Sequence, residues 1–177
     1  MEVRRIVTGQ DASGASVFVS DTPVAPITVD LIPGGEFHSV WGADTPFSLP
    51  ANGARPESKG WFPPAGGFRF GFFTIGPKSA AWSPDMDFEA ALVELGEKLP
   101  GMGETLDLTD PGMHASDTVD YCVVMSGHAR LELDNGAMVE IGPGDCVVQN
   151  GTRHRWHNPI EEPCVLAVAI VGRDRRD

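Results

Sequence analysis

Positive charge is scarce in this chain. Thirteen lysines and arginines stand against 25 aspartates and glutamates, a formal net charge of −12 over 177 residues. That balance argues against nucleic acid and anionic membrane surfaces as partners, since both attract a cationic footprint. Long apolar runs are missing too: no stretch approaches the roughly 20 residues that a membrane-spanning helix needs. The opening MEVRRIVTGQ carries two arginines but neither the apolar core nor the small-residue cleavage site of a secretory leader. Cysteine is limited to Cys122, Cys146 and Cys164, an odd number without CxxC spacing. All three sit in apolar runs, which predicts buried free thiols, suits a reducing cytoplasm and leaves no catalytic thiol with a base beside it. The pairs Gly34-Gly35 and Gly66-Gly67 lack the strand–turn–helix setting of a phosphate loop, and no internal repeat is present.

Glycine and proline, by contrast, are plentiful at 21 and 15 residues, which favours many turns over long helices. The length suits one buried core with an extension. In the first part, 4–8, 16–20, 36–41 and 68–75 read as short strands, the last dense in aromatics (Phe68, Phe70, Phe72, Phe73) that fit a pleated, half-buried face. Between the third and fourth lies a loop over 46–67 with five prolines in 22 residues, either a cover over a site or a partner-docking arm. One helix is predicted over 84–98, with Ser83 as N-cap, Pro84 at the first position, and Asp85 and Asp87 at the positive end of its dipole. Phe88, Leu92, Leu95 and Leu99 then form its apolar face.

From 118 onward the pattern is uniformly β. Runs at 119–125, 129–133, 138–141, 146–149, 154–158 and 164–171 are separated by tight turns, among them Asn135-Gly136, whose two positions both require positive φ. Six such strands predict a closed barrel or jelly roll. The division expected is 1–80 for N-terminal strands and the Pro/Gly-rich loop, 81–101 for a helical connector and 102–177 for the barrel core.

Side chains alternate across a strand, so His114, Ser116, Thr118 and Asp120 share one face, and His154, Trp156 and Asn158 share another. A barrel interior can therefore collect His114, Asp120 and His154. Two imidazoles and a carboxylate form a ligand set suited to Fe(II), with Mn, Ni or Zn also compatible. The same trio can instead be a metal-free, mutually hydrogen-bonded cluster. Ser116 and Trp156 are the expected pocket neighbours, with Trp156 either stacking a planar ligand or filling the core. His38 is a minor candidate for an additional ligand. His128 is expected in solvent, His157 away from the pocket, and Tyr121, the only tyrosine, outside the barrel.

GPGD, then CVVQNGTRH, then RWHN is similar to the second signature motif of the cupin superfamily, with His154 and Asn158 matching its His-x-x-x-Asn ending. The first motif, His-x-His followed by Glu and Gly, is matched by His114, Asp120 and Gly127. Ser116 stands where the second histidine belongs, Asp120 replaces glutamate, and Gln149 takes the usual proline position. The resemblance covers about residues 112–171 and implies a mainly β, cupin-type jelly-roll barrel, here with extra N-terminal strands and one α-helix. It also implies a divalent metal on His114, Asp120 and His154, and dioxygenase, decarboxylase or isomerase chemistry on a small organic acid or carbonyl compound. The depleted first motif keeps a second reading open, a non-catalytic metabolite-binding or sensing module. Pairing into a homodimer through added strands is a further implication.

Overall fold

The computed structural model describes residues 1–175. Strands β1 (Val3–Gln10) and β2 (Ser16–Val24) form a separate antiparallel hairpin. Its turn is tied by the Asp11 carboxylate, which accepts from the backbone N–H of Ser13 at 2.8 Å and of Ala15 at 3.0 Å. The chain then crosses to β3 (Glu36–Ala43), docked by reciprocal Ile27–Phe37 backbone bonds of 2.8 and 2.9 Å. With β4 (Phe68–Ile75), β5 (Thr118–Ser126), β8 (Cys146–Asn150) and β10 (Cys164–Gly172), β3 builds a five-stranded antiparallel sheet ordered β3-β4-β10-β5-β8. The second sheet is β7-β6-β9, from β6 (Ala129–Leu133), β7 (Met138–Ile141) and β9 (His154–His157). Two antiparallel sheets joined by these crossovers make the expected jelly roll. The main sheet takes β3 and β4 from the first 80 residues, so the barrel reaches well beyond 102–177.

The expected strands are all present, and β4, β6 and β7 have the bounds read from sequence. Asn135 and Gly136 turn at φ 63° and 72°, the backbone conformation that their hairpin position demands. Between the sheets, Ile75, Val124, Ala129, Ile141, Cys164 and Leu166 are buried together, with Phe73, Val147 and Trp156 packed against them.

The helix, α1 (Phe88–Lys98), is shorter than its periodicity suggested. Asp87, not Ser83, is the N-cap: its carboxylate accepts the backbone N–H of Glu89 and Ala90, both at 3.1 Å. Pro84 and Asp85 lie instead in a turn closed by Met86 N–H to Ser83 O at 3.1 Å. A carboxylate placed to satisfy two orphan amides ends the competition in its own favour. Ala91, Leu95 and Leu99 are buried, whereas Phe88 is half exposed. Leu95 and Leu99 meet Val29, Phe37 and Met102 in a second core that seats the helix beside β3. No helix among the described residues is long and apolar enough to cross a membrane.

Leu95 is fully buried, so Leu95→Ala is expected to lower unfolding stability by about 2–5 kcal/mol, transfer and cavity effects combined. Val93, on the exposed face of the same helix, should tolerate Ala within about 0.5 kcal/mol. Urea unfolding of both variants tests the contrast, and equal losses would contradict the packing described.

Candidate functional site

A cavity of about 1260 Å³ opens between the sheets and runs beneath the 46–67 segment, with His114, Asp120, His154, Trp156 and Gln149 in its wall. Its volume exceeds the roughly 300–1,000 Å³ common for small-molecule sites. The two histidines are brought together by backbone pairing: the N–H of each donates to the carbonyl of the other at 3.0 Å. The pairing sets the rings side by side, centroids 4.2 Å apart. Each Nδ1 faces a carbonyl, Gly112 O at 3.1 Å from His114 and Thr152 O at 2.9 Å from His154. A carbonyl accepts a proton, so both rings carry Nδ1–H, and each Nε2 keeps its lone pair. That is the tautomer a metal-ligating imidazole adopts.

Asp120 enters from β5, where its register neighbours are Ile170 on β10 and Gln149 on β8. A hydroxyl chain stands behind it: Ser116 and Thr118 lie 2.7 Å apart, and Thr118 donates to Asp120 Oδ1 at 2.6 Å. Thr118 spends its proton on Asp120, so Ser116 is the donor to Thr118. Ser116 therefore supports the site from the rear and does not border the cavity, contrary to the expectation that it lines the pocket. It is buried, and shares a face with Thr118 and Asp120 as strand parity predicted.

Burial sets the charges. The Asp120 carboxyl is pushed up to about 6 by burial, opposed by the Thr118 hydrogen bond. His154 is pushed down to about 4, first by burial and then by the neighbouring His114. His114 is lowered by burial as well. At neutral pH the site thus offers two neutral imidazoles and one carboxylate whose charge is costly to keep.

The donor types fit a divalent ion, and the pinned Nδ1 atoms prepare both imidazoles for one. Among the described residues, however, no group of three or more His, Cys, Asp or Glu side chains is gathered tightly enough to hold a metal. The imidazole pair is formed; Asp120 shares its cavity without closing a three-ligand shell.

Trp156 packs on the core, one of the two roles anticipated for it, and also borders the cavity, edge-on to His154 at 5.8 Å. Asn158, the last residue of the second motif, closes the following turn through Glu162 O at 2.8 Å and Ile160 N–H at 2.9 Å. His157 still borders the cavity, although its parity turns it from His154. Its Nε2 is 2.5 Å from buried Glu132, which also accepts from Arg155 at 2.9 and 3.0 Å. Cys122 and Cys164 are buried, with thiols raised by burial to about 12 and about 11, while Cys146 is exposed, against the expectation of three buried thiols. Tyr121 lies outside the barrel as expected.

Several wall residues escaped the sequence. Arg69, in the aromatic strand β4, shares the inner parity of Phe73 and pairs with Asp44 inside the barrel. An arginine on an apolar face was the available signal. Arg5 and Arg55 border the cavity through contacts that no local pattern encodes, and His38, a minor candidate from the sequence, lies in the same wall.

The Cupin_2 family model, described as a cupin domain, matches residues 109–171. Phomopsin biosynthesis cluster protein D of Diaporthe leptostromiformis is 30% identical over 158 residues, covering 87% of this chain and 69% of that protein. This chain belongs to the cupin superfamily. Phomopsin biosynthesis cluster protein C' of the same organism is 42% identical to the cupin over 69 residues, 36% of each chain. The cupin-domain-containing oxidoreductase virC of Hypocrea virens is 39% identical over 46 residues, 26% of this chain and 24% of that one. The matched segments of the last two thus span well under half of those proteins.

The raised Asp120 and the depressed His154 act oppositely on stability. Asp120, about 6 folded against an ordinary 3.8, contributes fully below the lower value and loses that contribution as pH rises through the upper one. His154, about 4 folded against 6.5, contributes above the higher value and loses it as pH falls toward the lower one. In metal-free protein the two slopes offset each other between about pH 4 and 6. Asp120→Asn is expected to add about 2 kcal/mol of stability at pH 7–8 and to unmask a stability that climbs with pH. Urea unfolding from pH 4 to 8 reads both effects, and an unchanged slope would refute the assignment.

Proposed function

We propose that this cupin performs metal-assisted chemistry on a small organic acid or carbonyl compound, with His114 and His154 as the ligand pair and Asp120 as the carboxylate that shares their cavity. The observation that carries this reading is the pair of adjacent neutral imidazoles, each held by a backbone carbonyl through Nδ1 and presenting Nε2 unpaired. A bound Fe, Mn, Ni or Zn ion would act as a Lewis acid toward a carbonyl or carboxylate, or support oxidative chemistry if it is iron. Dioxygenase, decarboxylase and isomerase reactions all belong to this range. The relative virC, a cupin-domain-containing oxidoreductase similar to this chain over 46 residues, points the same way.

The chain's own residues supply orientation and proton handling. Trp156 and the apolar wall exclude water, while the Ser116–Thr118 chain fixes which oxygen of Asp120 faces the protein. With its carboxyl raised to about 6, Asp120 can exchange a proton with ligand near neutral pH more readily than an ordinary aspartate. A second reading, metabolite binding or sensing without metal, draws support from this same chain, which satisfies one Asp120 oxygen internally.

Purified protein loaded with Fe, Mn, Ni or Zn in turn should retain about one equivalent of at least one of them after desalting, and His154→Ala should lose it. Elemental analysis decides. Retention of none by the wild type would remove the metal reading and leave the binding module.

We also propose a homodimer through the outer face of the five-stranded sheet. Phe70, Tyr121, Val123, Met125 and Val148 all stand exposed on that face, from 38% to 56%, a contiguous apolar surface that a monomer seldom leaves open. Light scattering at micromolar concentration should give twice the chain mass, and Tyr121→Glu should halve it. A monomeric wild type would overturn the pairing.

A further inference from the structure

In a chain so acidic, arginines find carboxylates easily. Arg4, Arg69, Arg130, Arg153, Arg155 and Arg175 each make an ion pair with an Asp or Glu. Arg5, Arg55 and Arg173 make none among the described residues, and of these Arg5 and Arg55 border the cavity. They arrive from distant parts of the sequence, Arg5 from β1 and Arg55 from the 46–67 segment, and meet on consecutive residues of β3. Arg55 Nη2 donates to Ser39 Oγ at 3.1 Å and Ser39 O at 3.4 Å. Arg5 Nη1 donates to Val40 O at 3.3 Å, and Nη2 to Thr22 Oγ1 at 3.5 Å.

All but the Arg55–Ser39 Oγ bond are long for a guanidinium, and each side chain keeps most of its five donors unused. Arg5 Nε is buried and has no acceptor. Beside Ser39, His38 is fully buried with neither ring nitrogen hydrogen-bonded. The proton affinity of Arg55 is lowered first by partial burial and then by the neighbouring Arg5, and two like charges with no carboxylate paired to either leave a place that an anion would neutralise.

We propose that Arg5 and Arg55 form an oxyanion subsite that seats the carboxylate of a small organic-acid ligand in this cavity. The planar fork of each guanidinium matches a carboxylate or phosphate oxygen pair, which a lysine would not. Location adds the size class. Ser39 lies on β3 and Asp120 on β5, with β4 and β10 between them, so about 14 Å of sheet separates the two at the usual interstrand spacing of about 4.8 Å. The ligand is then an extended acid, anchored at β3 and carrying its second functional group toward His114, His154 and Asp120. The inference rests on the reading of this cavity as a small-molecule site, and it does not require a metal.

The test is calorimetric titration of the full chain, stripped with chelator, against straight-chain α,ω-dicarboxylates from succinate to suberate, their neutral diamides, and inorganic phosphate. At least one dicarboxylate should bind with Kd in the millimolar range or tighter, and its diamide should not. Arg5→Gln and Arg55→Gln should each weaken it at least tenfold, and Arg130→Gln, at an exposed arginine paired with Glu140 away from the cavity, by less than threefold. Arg55 is exposed on a loop, so its variant folds irrespective of Arg5; Arg5→Lys, which keeps the charge and loses the fork, guards against a folding defect at that position. Diamides binding as well as acids, with no effect of either arginine, would overturn the subsite while upholding the cavity as a ligand site. Arginine-dependent binding of phosphate alone would overturn the carboxylate assignment. Absence of binding by any probe would overturn the subsite, whereas the metal reading stands or falls separately on elemental analysis.

Discussion

The reciprocal pair of backbone hydrogen bonds between His114 and His154, both at 3.0 Å, is the constraint on which the site depends. It joins the segment before β5 to β9, and so links the first motif to the second across 40 residues of barrel. Once that pairing is set, the two imidazoles have little choice of position, because side chains of directly opposed residues lie on one face a few ångströms apart. Their Nδ1 carbonyl partners, Gly112 and Thr152, each lie two residues upstream on the same strand segment. The local backbone therefore chooses the tautomer, and no distant residue is needed to orient either ring.

The electrostatics follow from the same enclosure. A chain with a net charge of −12 would be expected to fill its interior with negative potential, yet the cavity wall includes the two paired imidazoles, the Asp120 carboxyl raised by burial, the ion-paired Asp107 and a set of arginines. Acids are instead concentrated on the surface or spent in pairs: Arg153 binds Asp107, Asp110 and Asp134, and Glu132 binds Arg155 and His157. This segregation leaves Asp120 as the acidic group next to the imidazoles. Its charge is costly there, which makes it responsive to whatever approaches, whether a cation or a hydrogen-bond donor.

Strand parity and turn chemistry made most of the fold legible, because both are local. Asn135-Gly136 specifies its own turn, and the alternation in β5 correctly put Ser116, Thr118 and Asp120 on one face. Helix onset failed at the same local level, since Ser83 and Asp87 are both acceptable caps and only the folded chain shows which side chain meets two free amides. Periodicity could say that Ser116 shares a face with Asp120, but not that a hydroxyl chain would use up its reach. Glu132 alternates with the apolar residues of β6. Arg155 and His157 on the adjacent strand turned it into a buried ion-pair centre, a contact that depends on register and not on pattern.

Contacts spanning long separations were beyond the sequence for a physical reason. Arg5 reaches Val40 across 35 positions, and Arg55 reaches Ser39 across 16, with neither strand nor helix period relating them. The Pro-rich segment over 46–67 makes the second contact possible: Ala51 O accepts from Gln10 N–H and Glu57 O from Asp44 N–H, both at 3.0 Å. The segment is thus stitched to β1 at one end and to the chain just past β3 at the other, which holds Arg55 over the open edge of the main sheet. A flexible arm awaiting a partner would not need these ties. Of the two roles that its composition allowed, a cover over the cavity is the one that its hydrogen bonds support, and Arg55 is the polar group that this cover brings to whatever lies beneath it.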